Sequence, residues 1–325
     1  MIPDFIHGCI APVFTAFNED GTLDDAGQRN LLSFLQARGG ISAYFIRSGM
    51  GQTYTFSYED ARQIAKTACD HMKGETVLVG ASGIWDRDYD RRPEPQVYTR
   101  QAMDLAKFAE QQGATGVVYT MPEALVPERG ETIADIVLRY FETVSTATTL
   151  PILIYQPPGT ANEYRVTVDL IRKLADLPSI KGMKVSTTDA EYILDLTWAV
   201  AGKDFGYIVG AETAFYAGLC SGARAVIGQG AAINPQILNA VQDRFDQRDY
   251  EGAIEAQRAA NLLVQEAVET VTFFKRYATE QGYPIKPHRR ATAREGYAEQ
   301  KPKVLTDDRY ETYKNLLESE LAKYV

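Results

Sequence analysis

Residues 150–186 read LPILIYQPPGTANEYRVTVDLIRKLADLPSIKGMKVS. Two short apolar runs, Ile152–Tyr155 and Ile180–Val185, flank an amphipathic stretch. A strand buried on both faces reads as a continuous apolar run, and a helix laid over a sheet reads as an amphipathic one, so the stretch is a βαβ unit with parallel strands. The same unit recurs from residue 7 to about 245, with amphipathic connections of roughly 12 to 18 residues. The other candidate strands are Cys9–Phe14, Ala43–Ile46, Thr76–Val79, Gly116–Thr120, Tyr207–Val209 and Ala225–Ile227. Eight such strands close a barrel, and the predicted fold is an α/β (β/α)8 TIM barrel.

Local signals agree with that period. Ser57 with Asp60 forms an approximate capping box, Asn234–Pro235 places a cap before a first-turn proline, and Gly39 and Gly113 fall where helices should stop. The charged segment Trp85–Pro95, WDRDYDRRPEP, is expected to stay a loop after the third strand. Beyond residue 245 the strand signal ceases. Two helical patterns remain, about Tyr250–Gln281 and Asp307–Tyr324, so residues 1–245 are assigned to the barrel and 246–325 to a helical extension packed on its outside. A basic cluster between them, Lys286, His288, Arg289, Arg290 and Arg294, reads as a solvated or salt-bridged surface before it reads as an anion site.

Composition narrows the function. The 325 residues are 45% hydrophobic and 24% charged, ordinary for a chain with a sizeable core. With 34 basic and 43 acidic residues the net charge is −9, which argues against nucleic acid or anionic lipid as a partner. Cys9, Cys69 and Cys220 are scattered and read as buried free thiols, and His7, His71 and His288 do not pair at ligand spacing, so no metal site is expected. The amino terminus lacks a basic region followed by an apolar stretch, and no run approaches the roughly 18 apolar residues of a spanning helix; a cytoplasmic protein with no membrane partner is expected.

In a barrel of this type the reactive groups sit at the carboxyl ends of the strands, where the variable loops converge. Strand alternation in SIKGMKVS puts Met183 and Val185 on one face and Gly182, Lys184 and Ser186 on the other, so Lys184 can point inward. A lysine held inside an apolar barrel loses solvation of its charged form, which makes the neutral amine available to attack a carbonyl. The bland alternative is a lysine that snorkels to solvent at a strand end. Tyr155 ends the adjacent strand, where a phenol can both give and take a proton. The stretch RSGMGQTYTFS follows the second strand, and Gly49 and Gly51 allow a tight turn whose N–H groups could hold a carboxylate.

Those three segments resemble the pyruvate-dependent lyases that include dihydrodipicolinate synthase and N-acetylneuraminate lyase, and the resemblance spans the chain to about residue 300. It implies that Lys184, in the KGxK context Lys181–Lys184, forms a Schiff base with a 2-oxo acid such as pyruvate, with no cofactor beyond the imine. It implies too that Tyr155, in a YNxP-like YQPP, assists proton transfer. The stretch VGAETAFYAGLCSGARAVIGQGAAINP, residues 209–235, resembles the family's seventh and eighth strands, which makes Ile227 a wall of the keto-acid pocket. A homo-oligomer, tetramer or dimer, follows from the same analogy.

The departures are informative. The family's GTTGE-like loop is here Ser48, Gly49, Met50, Gly51 and Gln52; two hydroxyls are gone, while backbone donors and the Ser48 hydroxyl remain. The TPYY-type segment reads TMPEAL over 120–125, without the relay tyrosine, and Thr160 stands where dihydrodipicolinate synthase has its aldehyde-holding arginine. Candidate replacements are Glu123 as an acid or base and Arg87, Arg91 and Arg92 as holders of a second acidic group, each against a solvent-exposed alternative. The reading is a lyase that makes or breaks a C–C bond next to an enamine carbon. Dehydration of a 2-keto-3-deoxy sugar acid through the same imine and a catalytically silent relative are the alternatives. A metal-dependent aldolase lacks ligands, and a pyridoxal-phosphate barrel lacks a glycine-rich phosphate cradle near strands seven and eight.

Overall fold

A computed structural model of the chain describes residues 1–290 and 304–324. Eight parallel strands close a barrel in sequential order: β1 Gly8–Pro12, β2 Ala43–Ile46, β3 Val77–Gly80, β4 Gly116–Thr120, β5 Ile152–Gln156, β6 Ile180–Val185, β7 Gly206–Val209 and β8 Ala225–Val226. The helices that return the chain between strands are α1 Asp25–Arg38, α2 Tyr58–His71, α3 Pro95–Gln111, α4 Ile133–Ser145, α5 Val168–Leu174, α6 Ala190–Ala199 and α7 Phe215–Ser221. The predicted barrel and all eight strands are present. Ser57 and Asp60 make a full capping box on α2, Pro235 is in the first turn of its helix, and Gly39 and Gly113 follow α1 and α3 with positive φ. Residues 85–94 form the expected loop.

Alternation along the strands sorts the core into two shells. Side chains at Ile10, Phe45, Leu78, Val118, Leu153, Tyr155, Ile208 and Ile227 fill the barrel, with Ile6 closing its amino-terminal end. Their neighbours, such as Val79, Val117, Ile154 and Val185, face the helices. Gly116, Gly182 and Gly206 leave room where a β-carbon would run into Leu78, the Gly206 carbonyl or Ile6, respectively.

After β8 come α8 Gly230–Ile233, α9 Pro235–Asp246, α10 Tyr250–Glu266, α11 Thr270–Glu280 and α12 Asp307–Leu321. The single helical pattern read over Tyr250–Gln281 is in fact two helices, because Ala267 is extended and Glu269 takes a left-handed φ of 47°. The break lets α11 turn back on the barrel. Phe274 packs edge-on against Phe14, 4.6 Å between ring centroids, and against Phe34 at 5.3 Å, which joins the carboxyl-terminal helices to the outer core. Cys9 and Cys69 are buried, but Cys220 is exposed, contrary to the expectation for all three. Among the described residues no helix is long and apolar enough to cross a membrane.

The basic cluster is largely neutralised. Arg290 pairs with Asp60 at 2.7 Å, Arg289 with Glu269 at 3.3 Å and Lys286 with Asp24 at 3.5 Å; Arg294 lies outside the described residues.

Candidate active site

Strand register decides which side chains meet. Tyr155 stands opposite Lys184, Lys184 opposite Ile208, and Thr120 opposite Tyr155. Lys184 therefore enters the barrel among apolar walls that include Tyr155, Ile208 and Ile227, and it is only 6% exposed. Its Nζ lies 4.2 Å from the centroid of the Tyr155 ring. Burial lowers the Lys184 pKa to about 7, partly offset by the Glu212 carboxylate, so at neutral pH a large share of the amine is unprotonated. The snorkelling alternative does not describe this side chain.

Glu212 was not singled out in the sequence. It follows β7, is 5% exposed, and burial raises its pKa to about 7. The Gly230 N–H donates to its Oε2 at 2.8 Å, and Gln257 donates to its carbonyl at 2.9 Å. A β-carbon at Gly228 would overlap this carboxylate, so the glycine makes the space that Glu212 fills.

The loop after β2 covers the same end. Gly49 presses on the Tyr155 hydroxyl: a β-carbon there would come within 2.8 Å of Oη. Neither Gly49 nor Gly51 has a positive φ; the left-handed residues are their neighbours Arg47 and Gln52, with φ of 55° and 62°. The glycines are thus required for room, since a β-carbon at Gly51 would meet the Val13 carbonyl at 2.7 Å. The Ser48 hydroxyl is used inside the loop, donating to the Val13 carbonyl at 3.0 Å and accepting from the Gly51 N–H at 3.0 Å. The Gly51, Gln52 and Thr53 N–H groups bond within the turn, whereas those of Gly49 and Met50 have no partner among the described residues. Thr160 is buried in the loop after β5 and donates to the Pro157 carbonyl at 2.8 Å.

The charged residues of the mouth differ in burial. Glu123 is not solvent-exposed. It is 2% exposed and accepts from Arg87, from the Tyr89 hydroxyl at 2.6 Å and from the Ala161 N–H at 2.9 Å. Arg87 also donates to the Gly159 carbonyl at 2.7 Å and lies over the Tyr54 ring. This ion pair ties together the loops that follow β2, β3, β4 and β5. Arg91 is exposed and paired with Asp86 and Asp88, and Arg92 stacks over Tyr89.

A lysine at the end of the sixth barrel strand, desolvated beside a tyrosine from the fifth, is the arrangement anticipated for an imine-forming lyase. The family model described as the dihydrodipicolinate synthetase family matches residues 5–304. The chain belongs to this family. Its members are lyases of the class I aldolase type, and this dihydrodipicolinate synthetase family protein is accordingly a lyase. It is 28% identical to a 4-hydroxy-tetrahydrodipicolinate synthase of Dechloromonas aromatica over 72% of this chain and 73% of that one. It is also 28% identical to a putative 2-dehydro-3-deoxy-D-gluconate aldolase, YagE, of Escherichia coli K12, over 71% of each. Among solved structures, N-acetylneuraminate lyase from Mycoplasma synoviae superposes with a TM-score of 0.74 at 20% identity over 99% of both chains. YagE in complex with pyruvate superposes at 0.76 and 23% identity, covering 98% of this chain and 99% of that one. At these identities the superpositions show the shared fold.

Proposed function

We propose that this family member is a Schiff-base lyase whose reaction is aldol cleavage or condensation involving pyruvate, with Lys184 as nucleophile and Tyr155 as proton shuttle. The observation that carries the reading is the Lys184 amine, buried in an apolar barrel 4.2 Å from the Tyr155 ring. The neutral amine attacks the ketone carbon of a 2-oxo acid, and the C–O π electrons move to oxygen. Tyr155 gives a proton to that oxygen, its phenolate takes one from the nitrogen and passes it to the hydroxyl, and water leaves as the protonated imine forms beside the Tyr155 phenolate. The protonated imine draws electrons from the bond next to its adjacent carbon. In the cleavage direction that C–C bond breaks, the hydroxyl of the departing carbon gives its proton to the Tyr155 phenolate, an aldehyde leaves and an enamine remains. Protonation of the enamine and hydrolysis of the imine return pyruvate and the free lysine.

The carboxylate of the 2-oxo acid is assigned to the Gly49 and Met50 N–H groups, whose donors are not spent inside the turn. Ile227, buried and in the same inner shell as Tyr155, is assigned to the apolar wall. Ser48 and Gly51 serve by bracing the turn, and Thr160 by shaping the loop after β5.

The test is mass spectrometry of the intact protein after incubation with pyruvate and borohydride, beside a Lys184→Ala control. A reduced pyruvate adduct on Lys184, absent from the control, is expected. If neither pyruvate nor longer 2-oxo acids add mass, the Schiff-base reading is wrong and a catalytically silent relative takes its place.

A further inference from the structure

Arg47 stands just past the end of β2, and its side chain is 4% exposed. Its φ of 55° is a conformation unfavourable to any residue with a β-carbon, and such residues persist where their surroundings hold them, often at functional sites. Nη1 donates to the carbonyls of Gly80 at 3.2 Å and Ser82 at 2.7 Å. Nε is buried without a partner. No carboxylate pairs with this guanidinium among the described residues, in contrast to Arg87, whose charge Glu123 answers. The edge left over, Nε with Nη2, is the edge of an arginine that receives a carboxylate through two parallel hydrogen bonds.

Arg47 borders a narrow cavity walled by Tyr54, Ser82, Trp85, Tyr98 and Thr120. Glu123 also borders it, but its carboxylate is taken up by Arg87, Tyr89 and the Ala161 N–H. The hydroxyls of Ser82 and Thr120 lie 3.0 Å apart on its wall. Thr120, Tyr155 and Lys184 are side by side on β4, β5 and β6, so the wall and the amine are separated by roughly 10 Å of backbone at about 4.8 Å per strand. Side chains reaching inward shorten that gap to one a short carbon chain spans. The cavity has room for about one water, so seating a carboxylate there requires its wall to give way.

We infer that Arg47 is the docking group for a second carboxylate, and that the substrate is a 2-oxo acid carrying an acid group at its far end. The inference rests on the Schiff-base reading for the placement of the ketone, though not for the anion site itself. Borohydride trapping is to be titrated with 2-oxoadipate and, as the matched monoacid, 2-oxohexanoate, in the wild type, Arg47→Gln and Arg47→Lys, with circular dichroism as the check on folding. The wild type should half-saturate with 2-oxoadipate at a concentration lower by roughly tenfold or more, the value of a charge-assisted pair. Arg47→Gln should abolish that ratio and Arg47→Lys reduce it; should the glutamine variant fail to fold, the lysine variant decides. No preference in the wild type, or a preference that survives both substitutions, overturns the assignment. If no 2-oxo acid is trapped at all, the Schiff-base reading falls separately. Glutarate, which has no ketone, then decides the anion site: it should raise the Tm of the wild type and not of the Arg47 variants, and an equal or absent rise overturns it.

Discussion

Gly49 leaves the Tyr155 hydroxyl so little space that a single methyl group would come within 2.8 Å of it. The backbone at Gly49 is not left-handed, so alanine there strains nothing but this contact. Gly49→Ala should therefore displace the phenol while the barrel stays folded. Adduct formation with pyruvate should slow by roughly 10²-fold, the low end of general acid–base catalysis, and Tyr155→Phe should slow it at least as much. Rapid-quench borohydride trapping measures both. Wild-type rates in either variant would remove Tyr155 from the proton path.

The Lys184 amine reacts only without its proton. Because burial brings its pKa down to about 7, the rate of imine formation should rise with pH through about 7 and level off above it. The Glu212 carboxylate works the other way, favouring the ammonium. Removing its charge in Glu212→Gln should move the midpoint to lower pH. Trapping rates across a pH series give both midpoints. A wild-type midpoint near the ordinary lysine value of 10.5, or an upward shift in the variant, contradicts the account.

How much of this was legible in the sequence follows from range. Each strand is buried on both faces, so its composition alone marks it, and even β8, two residues long, is found from Ala225 onward. Strand alternation also placed Lys184 inside. Glu212 escaped notice because a glutamate after a strand looks like any solvated loop residue; only the closed barrel brings its charge to bear on Lys184. Arg47 escaped for the same reason, as nothing local says that its guanidinium lies across Gly80 and Ser82. The break between α10 and α11 has no glycine or proline to announce it, since the left-handed residue there is Glu269. The two loop glycines suggest turn geometry in the sequence, but what they provide is room.

Glu123 and Arg87 form a buried pair with side-chain exposures of 2% and 8%, and they hold four loops over the barrel mouth. Deleting one partner leaves the other charged and desolvated. Glu123→Ala should cost about 3–5 kcal/mol in urea unfolding. It should also make the 85–94 loop a site of early proteolytic cleavage. Arg91→Ala, which removes an arginine that is 73% exposed and paired with Asp86 and Asp88, should leave the urea midpoint nearly unchanged. Equal effects of the two would mean that the loops are not tied down by the buried pair.

Phe274 belongs to a helix that follows the eighth strand, yet its ring meets Phe14, just beyond β1, and Phe34 of α1. If α11 were an appendage, truncating this ring would loosen the helix and leave the barrel intact. Its full burial in the outer core argues instead that barrel and carboxyl-terminal helices unfold together. Phe274→Ala should therefore lower the stability of the whole chain by about 3–5 kcal/mol, with one transition seen by both far-ultraviolet circular dichroism and tyrosine fluorescence. Two separated transitions would show that the barrel stands without α11, and that the contact with Phe14 is a docking surface rather than part of one core.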